Sequence, residues 1–303
     1  MLNSTSFFLL TEFHYSGSLR VIIFFLLLAS YLITLAGNIL IISTILQHQS
    51  LHTPMYFFLS NLSIVEICVT TTVTPKFLSI VGFGNREISH WGCFLQCYFY
   101  FVLASVDFLI LAFMAFDRYV AICQPLHYVT VMNHRICIYF AIFSWLFGFV
   151  DTLPTTIITY NIPICYSNVI EHFFCDIGPI LKLVCLDTSL IKLLVLIESS
   201  FTVLGSLVCI AVSYTLIIIV IFNIKSGQRW KTFSTCSSHL ILVFIFYTGS
   251  ILMCFRYVKG FIFDFNRLAV VLNTIITPML NPFIYTLRNS QVTQAIRGYF
   301  SWR

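Results

Sequence analysis

The sequence predicts an all-α membrane protein: a seven-transmembrane helix bundle with a short amphipathic C-terminal helix. Two observations predict it. Of 303 residues, 59% are hydrophobic and 9% charged, whereas a soluble domain carries roughly 25% charged residues. So few charges cannot cover a surface in water, which leaves lipid as the solvent. Seven apolar runs, each near or beyond the ~20 residues that cross a bilayer, follow one another along the chain. The same composition excludes a disordered protein and a nucleic-acid binder, and a net charge of +5 implies no polyanionic partner.

The elements follow in order. Residues 1–19 carry Glu12 and lack a basic leader, so the first span is expected to direct insertion. Residues 21–46, without Asp, Glu, Lys or Arg, give helix 1. Residues 55–80, with Glu66 inside and Pro75-Lys76 toward the exit, give helix 2. Residues 92–122 give helix 3, with Asp107 inside. Residues 136–158 give helix 4, with Asp151 near one end, and 193–224 give helix 5, with Glu198 near its start. Residues 232–255 and 268–287 give helices 6 and 7. In 288–303, Val292, Ile296, Tyr299 and Phe300 recur at helical spacing with Arg297 and Arg303 between them. That pattern fits a helix lying on the cytoplasmic membrane surface.

Seven spans put the termini on opposite sides. Taking Arg118 as cytoplasmic, that side carries Arg118, Arg135, Lys225, Arg229, Lys231, Arg288, Arg297 and Arg303. The other carries Arg20, Lys76, Arg86, Lys182, Lys192, Arg256, Lys259 and Arg267, so loop charge does not orient the chain. Two other features do. Asn3-Ser4-Thr5 is a glycosylation sequon, which requires a lumenal terminus; Asn61-Leu62-Ser63 lies within helix 2 and is not usable. Cys93, Cys165, Cys175 and Cys185 all fall on the amino-terminal side, and disulfides persist only where conditions are oxidising. Both features put the amino terminus on the lumenal, extracellular side and the carboxyl terminus in the cytoplasm. Four cysteines allow three pairings, among which the residues do not choose. The other seven of the 11 Cys read as small apolar packing residues, and no Cys/His cluster has structural-zinc spacing.

A charged pair, Asp117-Arg118, closes helix 3. Such a pair at the mouth of a membrane helix is costly unless it is solvated or used. It sits in Met114-Ala115-Phe116-Asp117-Arg118-Tyr119-Val120-Ala121-Ile122-Cys123, followed by Pro125-Leu126-His127-Tyr128. Further blocks are Gly37-Asn38, Leu51-His52-Thr53-Pro54-Met55-Tyr56, Ser213-Tyr214, Lys231-Thr232-Phe233-Ser234-Thr235-Cys236 and Pro278-Met279-Leu280-Asn281-Pro282. In this order, each at its helix, they closely resemble the olfactory receptors within the rhodopsin-like G-protein-coupled receptors. The resemblance covers nearly the whole chain. The long cysteine-bearing loop resembles the group for volatile odorants. The family resemblance implies the plasma membrane, and disulfides Cys93–Cys175 and Cys165–Cys185.

Helical geometry and the resemblance together suggest a mechanism. At 100° per residue, Tyr100, Ala104, Asp107, Leu111 and Arg118 lie within about 40° of one line along helix 3. Asp107 is roughly 16 Å from Arg118 along the helix, and Glu66 about 18 Å inside Pro54, so the two acids share a depth. Two carboxylates in low dielectric need a cation or a shared proton. A sodium ion or a proton at Glu66 and Asp107, with Asn38 and Asn281 nearby, is the expected occupant, with a neutral hydrogen-bonded pair as the alternative. Rhodopsin-like receptors hold sodium around a helix 2 Asp, a position that Glu66 resembles.

By resemblance, the odorant pocket lies between helices 3, 5, 6 and 7 and the loop. Its expected lining is Tyr100, Phe101, Ala104, Ser105 and Phe108, then Glu198, Ser199 and Thr202, then Tyr247, Ser250, Ile251, Val271 and Thr274. Such a pocket suits a small apolar molecule with one polar group. Glu198 would pair with a cationic or hydroxyl-bearing odorant or with Lys192; the competing reading has it reach the wet loop without touching ligand.

Pro278 and Pro282 remove backbone hydrogen bonds and kink helix 7. With Asn281 and Tyr285 they resemble the inner switch of the family. Asp117, Arg118 and Tyr119 resemble its G-protein end, with Tyr214 and His239 as partners of Arg118. The implied partner is a stimulatory G protein that raises cyclic AMP, received when the inner end of helix 6 swings outward. Loops 128–135 and 225–231 would complete the surface. No Ser/His/Asp or zinc constellation points to an enzyme. An ion-coupled carrier would show internal repeats, which the seven unlike spans lack; a receptor for a non-odorant metabolite stands as the other reading.

Overall fold

Apolar runs of this length must satisfy their backbone groups internally, and helices do so within each segment. The computed structural model describes residues 7–11, 17–165, 167–223, 226–258, 263–288 and 292–295; within the helices, the side chains of 226–235, 238, 254–258, 263–266 and 285–288 lie outside that description. Helices 1 to 5 are Gly17–Gln47, Pro54–Phe83, His90–Cys123, His134–Tyr160 and Ser189–Asn223. Each is long and apolar enough to cross a membrane, as is Arg267–Ile284 in helix 7. Helix 6, Ser226–Val258, contains the apolar stretch His239–Met253. Helix 7 runs as Phe263–Val271, a π-helical turn Leu272–Ile276, and Thr277–Arg288.

Helices 2, 3 and 4 begin before their apolar runs because particular residues cap or open them. The Ser89 hydroxyl accepts from the Gly92 amide at 3.1 Å and starts helix 3. Asn133 accepts from the Ile136 amide at 3.0 Å and starts helix 4. Pro54 opens helix 2, and Gly84, at φ 67°, closes it.

Helix 3 is the axis of the bundle: most of its apolar stretch is buried, whereas most of that of helix 1 is not. Helices 1, 4 and 5 turn Phe25, Leu26, Leu146, Val150, Phe201 and Leu204 outward, as lipid-facing surfaces do. Helices 3 and 4 approach closely at Gly148, where an added Cβ would lie 2.8 Å from the Val102 carbonyl oxygen. Helix 7 is tied to helices 1 and 2 through its prolines. Pro278 has no N–H for the Thr274 carbonyl, which instead accepts from the Thr70 hydroxyl at 3.4 Å. Pro282 likewise frees the Pro278 carbonyl, which accepts from Asn38 Nδ2 at 3.3 Å.

At the end of the bundle that bears the amino terminus, the sequence reading missed a small sheet. Strands β1 (Phe7–Leu10), β2 (Glu87–Ser89) and β3 (Val169–Ile170) pair in the order β2-β1-β3. β1 is antiparallel to β2, with Phe7 opposite Ser89, and parallel to β3, with Leu9 opposite Val169. Phe8 and Leu10 are fully buried, and Phe7 and Leu9 are not, the alternation of a half-buried strand.

Disulfides join Cys93 to Cys175 and Cys165 to Cys185. Gln96 accepts from the Cys175 amide at 3.0 Å and donates to the Thr72 carbonyl at 2.9 Å, which fastens the loop to helices 2 and 3. Arg267 donates to Thr11 and to the Glu171 carbonyl, both at 3.2 Å, adding helix 7 to the same cap. Cys68, Cys97, Cys123, Cys137, Cys209 and Cys236 take part in neither disulfide. Of 288–303, beyond Arg288, only a helical turn at 292–295 is described, with Val292 buried against the main core. Asn3 and most of that predicted surface helix lie outside the described residues.

Candidate functional site

Below the loop, the helices enclose a cavity of about 110 Å³. Helix 3 supplies Tyr100, Phe101, Ala104, Ser105, Asp107 and Phe108, the face turned to the bundle axis. Helix 5 supplies Val195, Glu198, Ser199, Thr202 and Val203; helices 6 and 7 supply Phe246, Ser250, Met253 and Asn273. The loop adds Asp176 and Ile177, and helix 2 adds Val69.

Four expected lining residues lie elsewhere. Tyr247 sits beneath the cavity, its ring 5.1 Å from that of Phe108 and its hydroxyl donating to Ser206 at 2.6 Å. Ile251 points outward, 37% exposed. Val271 packs with Tyr100, Phe173 and Phe174. Thr274 is fully buried, its hydroxyl returned to the Val270 carbonyl at 2.8 Å. The π-helical turn presents Asn273 to the cavity in their place.

Helix 4, absent from the expected lining, forms a full wall with Asp151, Thr152, Thr155 and Thr156. Their positions, four apart in two pairs, share one helical face. This wall decides the partners of Glu198. The Thr155 hydroxyl donates to its carboxylate, so helix 4 rather than Lys192 engages it. Thr202 donates toward Asp151 at 3.3 Å and toward the Glu198 backbone carbonyl at 3.1 Å. Ser206 donates to the Thr202 carbonyl at 2.6 Å. A chain of polar contacts therefore runs from the cavity wall to Tyr247.

The cavity reaches down to Asp107, and Asp107 is close enough to act on Glu66 electrostatically. Asn281 Nδ2 donates to the Glu66 carboxylate. Around this pair, Asn38 Oδ1, Asp107 Oδ1 and Asn281 Oδ1 are buried and accept no hydrogen bond among the described residues. Buried oxygens without donors are suited to a cation or a proton.

At the inner end of helix 3, Arg118 pairs with Asp117, with Nε 3.0 Å from Oδ2. Tyr128, from the short helix Tyr128–Val131, donates to Asp117 Oδ1 at 2.8 Å. Burial, and then the neighbouring Asp117 carboxylate, raise the Tyr128 phenol above its usual range. Sequence reading missed this third member of the lock. Tyr119 accepts from Gln124 Nε2 at 3.1 Å. Tyr214 and His239 engage each other, hydroxyl to Nδ1 at 2.9 Å, and His239 Nε2 meets the Leu111 carbonyl at 3.2 Å. The described bonds of Arg118 run to Asp117. Pro282 is buried against helix 1 at Gly37, and the Tyr285 side chain lies outside the described residues.

Comparison with known proteins agrees with this architecture. The sequence model described as "Olfactory receptor" matches residues 27–302. Human "Olfactory receptor 6J1" is 46% identical over 295 residues, covering 96% of this chain and 84% of that protein. Mouse "Olfactory receptor 6E1" is 44% identical over 308 residues, covering 99% and 97%. Human "Olfactory receptor 6X1" is 43% identical over 291 residues, covering 96% and 93%.

Proposed function

We infer the function from kinship: this chain belongs to the olfactory receptor family, whose members are G-protein-coupled receptors and not enzymes. It is a multi-pass membrane protein. The finer reading is a plasma-membrane receptor with its amino terminus outside and its carboxyl terminus in the cytoplasm. A small volatile odorant enters the cavity among helices 3 to 7, and a stimulatory G protein answers by raising cyclic AMP.

One observation carries this reading. A single buried helix borders the cavity with Tyr100, Ala104 and Asp107 and ends on the Asp117–Arg118 pair. A ligand signals only if it binds one helix arrangement better than another. Packing on helix 3 and on Phe246 of helix 6 gives an odorant that differential hold. The response is an outward swing of the inner end of helix 6. His239, bonded to Tyr214 of helix 5 and to Leu111 of helix 3, is the contact that must yield. Arg118, released from Asp117, then meets the G protein.

A sodium ion or shared proton fits the Glu66 and Asp107 site, because Asn38, Asp107 and Asn281 offer oxygens without donors. Bound there, it would neutralise buried carboxyl charge and stabilise the resting bundle.

The experiment is a volatile panel applied to cells expressing the receptor, read by cyclic AMP, with Arg118→Ala as comparison. A response lost in the variant at equal surface expression supports the reading. An undiminished response in the variant sinks the role of Arg118, and ligand-driven ion flux without cyclic AMP favours a carrier.

A further inference from the structure

Resting on the receptor reading above, we propose that the cavity selects a protonated amine, its ammonium group seated between Asp151 of helix 4 and Glu198 of helix 5. The first ground is charge. Asp107, Asp151, Asp176 and Glu198 all border the cavity, and among the described residues no Lys, Arg or His does. The Asp151 carboxyl is close enough to Glu198 to act on it electrostatically, and Thr202, one turn beyond Glu198, places its hydroxyl 3.3 Å from the Asp151 carboxylate. Among the described residues neither carboxyl has an ion-pair partner. Two acids side by side in an apolar wall repel when ionised, and a cation between them removes that repulsion.

The second ground is independent of those two acids. Asp107 and Asn273 also border the cavity, each more than nine-tenths buried, and the Oδ1 of each accepts nothing among the described residues. Asn273 commits its donor to Ser250 at 2.9 Å. The hydroxyls of Thr152, Thr155, Thr156, Thr202 and Ser250 already donate to protein acceptors, so these buried oxygens are left for a donor on the ligand. An aldehyde, ketone or ester brings only acceptors, and an alcohol brings one donor. An ammonium brings three donors and the complementary charge.

Size and shape limit the rest of the molecule. An apolar cavity of roughly 150 Å³ takes benzene, so about 110 Å³ suits a single small ring or a short chain. Phe101, Phe108 and Val203 would face that apolar body.

The test uses the full-length receptor and a matched pair, cyclohexylamine and cyclohexanol. Thermal unfolding of the purified receptor reads binding, and cyclic AMP in cells reads signalling. Cyclohexylamine should raise the unfolding temperature at a concentration at least about tenfold below that needed for cyclohexanol, the scale of one charge-assisted hydrogen bond. Glu198→Gln and Asp151→Asn should each erase most of that preference. Equal stabilisation of the unmutated receptor by the two compounds, or a preference that survives both substitutions together, would overturn the proposal. Because the first comparison needs no variant, misfolding of a mutant cannot obscure it. Amine binding without cyclic AMP would uphold the amine site and sink the signalling reading. Cyclic AMP evoked only by neutral volatiles would do the reverse.

Discussion

Asn38 Nδ2 donates to the Pro278 carbonyl at 3.3 Å, and it does so because Pro282 cannot. A proline in a helix leaves the carbonyl four residues back without its donor, and in a membrane interior no water replaces it. Asn38→Ala should therefore expose a buried acceptor and cost about 1–3 kcal/mol. The check is a lowered unfolding temperature of the purified receptor. Unchanged stability would mean that the kink reorganises without helix 1.

The lock at the inner end of helix 3 has three members. Asp117 takes the Arg118 guanidinium on one oxygen and the Tyr128 hydroxyl, at 2.8 Å, on the other. Tyr128→Phe removes a hydrogen bond to a charged group, worth about 1.5–3 kcal/mol. If that bond holds the resting state, ligand-free cyclic AMP per surface receptor should rise several-fold. The sign of its pH dependence follows from the raised phenol. An acid held above its ordinary value of about 10 stabilises the fold fully below that value. That stabilisation is lost only as pH climbs through the higher one, so neutral pH leaves the bond intact. A basal signal identical to that of the unmutated receptor would remove Tyr128 from the lock.

Glu66 and Asp107 predict a salt response. If a sodium ion bridges them, sodium should raise the unfolding temperature more than choline at equal ionic strength. Asp107→Asn should abolish that difference, because the neutral amide no longer requires a counter-ion. A variant that keeps the full sodium response would place the ion elsewhere, and no response in either protein would favour the shared proton.

The spans were legible because a run of some twenty apolar residues has one physical use. Other features depended on information that no single segment carries. The sheet was missed because Phe7–Leu10 is four residues long, and its alternation acquires meaning only beside 87–89 and 169–170. The disulfide pairings came from family resemblance alone. In the cavity, helix 3 was legible from its stripe, since that helix is buried on most sides. Helix 4 was overlooked although Asp151, Thr152, Thr155 and Thr156 stand at helical spacing within an apolar run, a polar face that lipid would not tolerate. Thr155 as the partner of Glu198 depends on the rotation of two helices about their axes, which sequence spacing does not set. Ile251 was misplaced for a related reason: one position from Ser250, it is turned about 100° around the helix and meets the outside.

Two glycines separate close approach from mere tolerance. At Gly148 an added Cβ would meet the Val102 carbonyl oxygen at 2.8 Å and the Val106 side chain at 3.0 Å. Backbone cannot rotate away as a side chain can, so helices 3 and 4 must part. Gly148→Ala should cost roughly 1–3 kcal/mol, the range of an overpacked core. It should also weaken ligand response, because the displaced wall carries Thr152 and Thr155. Gly205 on helix 5 has nothing within 4 Å of such a Cβ. Gly205→Ala should be neutral or stabilising by about 0.5–1 kcal/mol through helix propensity. Unfolding temperatures and odorant dose–response curves of both variants provide the measurement. Equal behaviour of the two would show that the helix 3–helix 4 contact is slack and does not set the width of the cavity.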